Sequence, residues 1–313
     1  MIRTTLLWML VMFLAGYAWR DWYKSLCGLI LLMAVVQHPD FPNSVLGIHG
    51  LNPWNVLLAI VVFAWLAARK NEGLTLDAPP AIIWLLVVFF FFIVLAFVRL
   101  TGNTDELREY ATAFGVPPPS AMYLFSEYII NCLKWVVPAF LLYDGCRDEK
   151  RLRLALLAVL TMYILLAVQV IRWMPLGMLT SGEELSRRGL KILVNEVGYH
   201  RVNISMMLAG ASWALYAVRD LPRHYLVRLA CLFFAGVLLF ALALTGGRMG
   251  LATWGVLGVI FSAWKWRKLM IIGPAIALVL ILAYQSCRHT LRAVSSIYPR
   301  QRCTEPLGMA GET

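Results

Sequence analysis

Thr245-Gly246-Gly247-Arg248-Met249-Gly250 sets a guanidinium among glycines at the seam of two apolar runs, Tyr225–Leu244 and Leu251–Trp264. A cation at bilayer depth costs several kcal/mol, roughly 2.5–3.5 at a helix centre on insertion scales, unless it meets a counter-ion or a wet cavity. Arg248 is therefore a functional candidate by position alone. The glycines permit a tight turn and let a ligand approach the backbone, and the arginine fork fits phosphate oxygens. The chemistry implied is recognition of an anion at a membrane surface, with Arg248 and Gly247 as binding residues.

A second polar group sits at the same level. Arg201 and Asn203 lie where the segment Asn195-Glu196-Val197-Gly198-Tyr199-His200-Arg201 runs into the next apolar stretch. Two arginines flanking one point would hold a diphosphate from both sides. His38, His49, His200 and His289 fall in loops assigned to that same side, and His200 adjoins the arginine candidate. An imidazole there would serve as general base toward a sugar hydroxyl. Deeper in an apolar run, Glu127, Asn131 and Lys134 recur at helical offsets and share one face. That face reads either as a satisfied interhelical network or as a cavity wall touching a head group. Leu185, Leu190, Leu193 and Val194, interleaved with Arg187, Arg188 and Lys191, predict a short amphipathic helix lying on the membrane.

The elements that must position these residues are helices. Of 313 residues 61% are hydrophobic and 14% charged, with a mean hydropathy of +0.73, a composition outside that of soluble domains. The expected fold is all-α, a polytopic membrane protein. Counting apolar runs of roughly 17–25 residues gives about ten spans: Thr5–Trp19, Trp22–Val36, Pro53–Ala68, Pro79–Val98, Ala121–Tyr143, Leu152–Ile171, Val202–Val218, Tyr225–Leu244, Leu251–Trp264 and Leu269–Gln285. The first two are short and predict a tight hairpin or half-buried pair; no small-residue cleavage site follows the first, which is read as retained.

Cations cluster in every second loop, at Arg20 and Lys24, Arg69 and Lys70, Arg147 to Arg153, Arg219 to Arg228, and Lys265 to Lys268. Those loops should face the cytoplasm. Residues 37–52, 99–120 and 172–201 and the tail then face outward, as does Arg248. The net charge of +11 thus reflects topology and attraction to membrane lipids, with no nucleic-acid partner implied. No Cys-x-x-Cys, His-Glu-x-x-His, P-loop or dinucleotide fingerprint occurs, so neither metal nor cofactor is expected. Among six cysteines, Cys27, Cys132 and Cys231 read as apolar packers. Cys287 and Cys303 share the outer side, where an oxidising compartment would permit a disulfide.

Leu244-Thr245-Gly246-Gly247-Arg248-Met249-Gly250-Leu251-Ala252, an apolar span, the basic turn Lys265-Trp266-Arg267-Lys268 and a further span together resemble the core of the O-antigen ligase and polymerase superfamily. So do Leu133-Lys134-Trp135, Leu141-Leu142-Tyr143-Asp144 and Arg147-Asp148-Glu149-Lys150-Arg151-Leu152, which resemble the O-glycosylation-ligase-like members. The family's Ser-Arg-Gly signature has Gly247 in place of serine and Met249 in place of glycine. The resemblance implies a glycosyltransferase of the bacterial inner membrane. Such an enzyme moves a glycan from an undecaprenyl-diphosphate carrier to lipid A core, a growing polysaccharide or a protein, on the outer face. Arg248, Arg201 and Asn203 would bind the diphosphate; the activated donor makes a cofactor unnecessary. Family members carry a large outward loop with a catalytic histidine beyond the last span. Residues 287–313, after a transmembrane domain over 1–286, lack that pattern and predict a truncated member. A non-catalytic subunit of polysaccharide export, or a flippase or transporter for lipid-linked glycan, are the other readings.

Overall fold

The computed structural model describes residues 2–38, 41–42, 44–45, 48–49, 52–73, 78–113, 120–174, 189–222 and 224–265. Among them are eleven α-helices: α1 (Ile2–Ala18), α2 (Trp22–Val36), α3 (Pro53–Glu72), α4 (Pro80–Gly102), α5 (Thr104–Ala113), α6 (Ala121–Phe125), α7 (Asn131–Gly145), α8 (Glu149–Trp173), α9 (Arg201–Val218), α10 (Tyr225–Thr245) and α11 (Arg248–Trp264). Two π-helical turns, Ser126–Ile130 and Leu193–Val197, join them. A short antiparallel pair, β1 (Ser44–Val45) and β2 (Ile48–His49), sets Val45 opposite Ile48. The chain divides into two compact units, Met1–Trp254 and Gly255–Thr313. Of the second, the described part is the end of α11 and Lys265.

Helix ends follow local chemistry. Asp21, Asn52 and Asp148 accept backbone N–H groups of Lys24, Asn55 and Arg151 and so start α2, α3 and α8, meeting donors that the helices leave open. Pro53 occupies the first turn of α3, where a missing N–H costs nothing. Gly246 ends α10 at φ 61°, a left-handed conformation that favours glycine.

Among the described residues four helices, α3, α4, α8 and α10, are long and apolar enough to cross a membrane, the architecture of a multi-pass membrane protein. The helices α1 and α2 are shorter and form the expected hairpin. Ser25 Oγ donates to the Leu14 carbonyl at 2.9 Å across it. α2 is the centre of the first unit, flanked by α1, α3, α7 and α8, and its Tyr23, Leu26 and Leu29 are fully buried. In the flanking helices Leu57 and Val61 of α3 and Leu166, Ala167 and Val170 of α8 are fully buried as well. α9 packs on α10, and Leu208 and Ala209 of the one and Leu238 and Ala241 of the other are fully buried. α4 is the opposite case: none of its residues is buried, and a helix apolar on every side belongs in lipid. The span over Ala121–Tyr143 is interrupted. A π turn breaks it, and the Asn131 N–H reaches five residues back to the Ser126 carbonyl.

The cation-bearing ends meet. The start of α2, the end of α3, the end of α7 and the start of α8 converge through Tyr23, Arg69, Asp144 and Arg151, so three of the five basic loops, those at Arg20 and Lys24, Arg69 and Lys70, and Arg147 to Arg153, lie at one end of the first unit. Leu269–Gln285, the tail 287–313 with Cys287, His289 and Cys303, and the loop bearing Arg187 and Arg188 lie outside the described residues.

Candidate functional site

The end opposite the basic one is built around the start of α9. Gly198, at φ 82°, closes the π turn with its N–H on the Leu193 carbonyl. It passes so near α2 that a Cβ there would sit 1.6 Å from the Gln37 carbonyl oxygen. Tyr199 is buried and donates its hydroxyl to the Met33 carbonyl at 3.0 Å, while Gln169 Nε2 donates to the Ala34 carbonyl at 3.0 Å. These bonds satisfy carbonyls that the C-terminus of α2 leaves open. Burial, with Tyr163 adding to it, pushes the Tyr199 phenol above its usual range and keeps it a donor.

His200 caps α9: its Nδ1 accepts the Val202 N–H at 3.4 Å. The ring is exposed. An accepting Nδ1 puts the proton of the neutral ring on Nε2, so the ring's one basic nitrogen is taken up by the cap. Arg201 follows, half-buried, and Asn203 is exposed.

One turn further along α9, fully buried Ser205 meets the glycine run. A Cβ on Gly247 would lie 2.5 Å from Ser205 Oγ and 2.6 Å from its Cβ; one on Gly250 would lie 2.4 Å from Ser205 Cβ. The space these glycines leave is filled by α9. The Gly247 N–H meets Thr245 Oγ1 at 3.3 Å, and α11 starts at Arg248, which is exposed and whose guanidinium has no ion pair or hydrogen bond among the described residues. Arg201 and Ser205 share a face of α9, so the notch brings Arg201 and Arg248 to the same end of the unit, as their sequence context predicts.

Within the interrupted span, Lys134 Nζ donates to Asn131 Oδ1 at 3.1 Å and lies 5.9 Å from the Trp54 ring centre. Trp54 Nε1 in turn bonds the Leu29 carbonyl at 3.1 Å. Asn131 and Lys134 therefore join, as expected. The backbone of Glu127 lies inside the π turn, whose wider pitch rotates it relative to Asn131 compared with the α-helical offset; its side chain is outside the described residues.

The best-built polar group was not a candidate from sequence. Asp144, 2% exposed, accepts Trp65 Nε1 at 2.8 Å and an Arg147 terminal nitrogen at 2.9 Å, with an Arg69 nitrogen at 3.6 Å. The Arg69 guanidinium stacks 5.0 Å from the Trp65 ring centre. Beside it, Tyr23 donates to the Arg151 carbonyl at 2.9 Å, and Arg151 lies 3.6 Å from a Glu72 oxygen. Spacing alone carried part of the signal, since Trp65 and Arg69 stand four apart on α3 and Asp144 and Arg147 three apart. What no local pattern shows is that the two pairs face each other.

No family model, curated protein or solved structure matches this chain. Among the described residues no group of three or more His, Cys, Asp and Glu side chains could hold a metal ion. The chemistry therefore rests on geometry. The Asp144 group is saturated with protein partners and acts as a clasp. The α9–α11 end holds an exposed guanidinium beside the open N–H groups of a helix start, a combination that attracts an anion.

Proposed function

We propose that this chain is a bacterial inner-membrane protein of about ten spans that binds the diphosphate of an undecaprenyl-linked glycan on the outer face and transfers that glycan to an acceptor. The observation that carries the reading is the exposed Arg248 at the start of α11, whose guanidinium engages no described residue, beside the notch that roots Arg201. Arg248, Arg201 and Asn203 would hold the diphosphate, and the arginines would stabilise charge developing on it as the glycosidic bond breaks. Gly247 supports the site by letting α9 close on α11. The basic end, with Arg69, Arg147 and Arg151, faces the cytoplasm on this reading. The similarity of Leu244–Ala252 to the O-antigen ligase and polymerase core supports the same assignment, and the acceptor is lipid A core, a growing polysaccharide or a protein.

A second reading, a non-catalytic subunit that holds the lipid-linked glycan, is favoured by one observation: His200 is engaged as a helix cap. The test is the pool of polyprenyl-diphosphate-linked glycan in cells lacking the gene and in cells carrying Arg248→Ala. Equal accumulation in both, reversed by the unaltered gene, is the expected result. An unchanged pool in both overturns the assignment. With purified protein, binding without turnover selects the subunit.

A further inference from the structure

The contact between α9 and the start of α11 is steric rather than polar. Ser205 turns its hydroxyl back to the Val202 carbonyl at 2.8 Å, so its polar atom is satisfied within its own helix, and what it offers α11 is shape. The approach extends to the backbone: a Cβ on Gly250 would stand 2.7 Å from the Ser205 carbonyl carbon. Arg201 is one helical turn from Ser205, a rise of about 6 Å at 1.5 Å per residue, and Arg248 is the neighbour of Gly247. Both arginine stems thus spring from within about a turn of a single contact.

We infer that Ser205 is a positioning residue that sets the separation of Arg201 and Arg248, and hence their match to a diphosphate. The inference rests on the reading that these arginines bind that group. A bridging anion is the ligand most sensitive to such a spacing, because two charge-assisted contacts must form together. A monophosphate, which one guanidinium can hold, depends on it less. The frame on the other side of α9 is equally firm, with Gly198 against Gln37 and Tyr199 on Met33. Displacement at the notch is therefore not absorbed by a loose α9.

The experiment uses the full chain in lipid nanodiscs, titrated with undecaprenyl diphosphate and, separately, undecaprenyl monophosphate. Gly247→Ala, which wedges a methyl against Ser205, is expected to weaken diphosphate binding about tenfold and monophosphate binding less. Adding Ser205→Gly, which empties the space that the methyl needs, restores it. Ser205→Gly added to Arg248→Ala restores nothing, which a general effect on folding would not distinguish. Wild-type affinity in Gly247→Ala, or a loss that Ser205→Gly does not repair, overturns the positioning role. The diphosphate reading survives that result as long as Arg248→Ala binds weakly. Wild-type affinity in Arg248→Ala removes the reading itself. If Gly247→Ala does not fold, Ser205→Thr adds one methyl from the opposite side of the notch, and unchanged affinity there counts against the inference in the same way.

Discussion

The basic end of the first unit and Arg248 at the other end use guanidiniums in opposite ways. At the basic end Arg69, Arg147 and Arg151 are tied to Asp144, Glu72, backbone carbonyls and ring faces. At the other end Arg248 is exposed and its guanidinium engages no described residue. A cation whose partners are all supplied by the protein contributes to the fold; one left open at the surface of an otherwise apolar structure is available to something else. The difference is one of partners, since both ends present the same side-chain chemistry.

The largest expected effect breaks the clasp. Asp144→Ala takes the carboxylate from half-buried Arg69 and exposed Arg147 and leaves the buried Trp65 indole N–H without its acceptor, and a buried donor left unsatisfied costs about 1–3 kcal/mol. Thermal unfolding of the purified protein should fall by many degrees, or the variant should fail to accumulate in membranes. Asp144→Asn keeps one acceptor oxygen and should lose less. Equal stability of wild type and Asp144→Ala would mean that this end is held by packing alone, and the contrast between the ends would lose its basis.

How much of this was legible in the sequence depends on range. Helices set by composition over one stretch were readable to within a few residues, as Tyr225–Leu244 against Tyr225–Thr245 and Val202–Val218 against Arg201–Val218 show. So was the shared level of Arg201 and Arg248, because alternating spans return each second loop to one side. Asp144 was not, since its Trp65 partner is 79 positions away and nothing local says that α3 and α7 end together. The glycines flanking Arg248 read as room for a ligand, whereas Ser205 occupies that room. The interlock of Trp213 Nε1 on the Trp254 carbonyl at 2.9 Å and Trp254 Nε1 on Ser212 Oγ at 3.0 Å was invisible for the same reason. The π turn at Ser126–Ile130 has a different cause, since inserting one residue into a helix leaves the apolar pattern almost unchanged.

A middle-sized effect tests the frame behind the open end. Tyr199→Phe removes one hydrogen bond and should cost about 1 kcal/mol. The sign with pH follows from the raised phenol. Its native hydrogen bond requires the neutral form, so the contribution is complete below the unfolded tyrosine value of about 10 and declines as pH rises through it toward the native value. Wild type and Tyr199→Phe should therefore differ in unfolding temperature at pH 8 and converge above about pH 10. A gap that stays constant with pH would assign the difference to packing and leave the hydroxyl without a role.

The smallest expected effect on stability is at Arg248, and it sharpens the comparison most. An exposed side chain that engages no described residue should tolerate truncation, so Arg248→Ala should unfold within about 0.5 kcal/mol of wild type. Arg147→Ala, which takes a 2.9 Å partner from buried Asp144, should be clearly less stable in the same assay. If Arg248→Ala proves as destabilised as Arg147→Ala, then Arg248 also belongs to the fold and its availability to a ligand is lost as an argument. If it is neutral for stability and yet deprives cells of the function, the cost of keeping a cation among apolar spans is accounted for by what that cation binds.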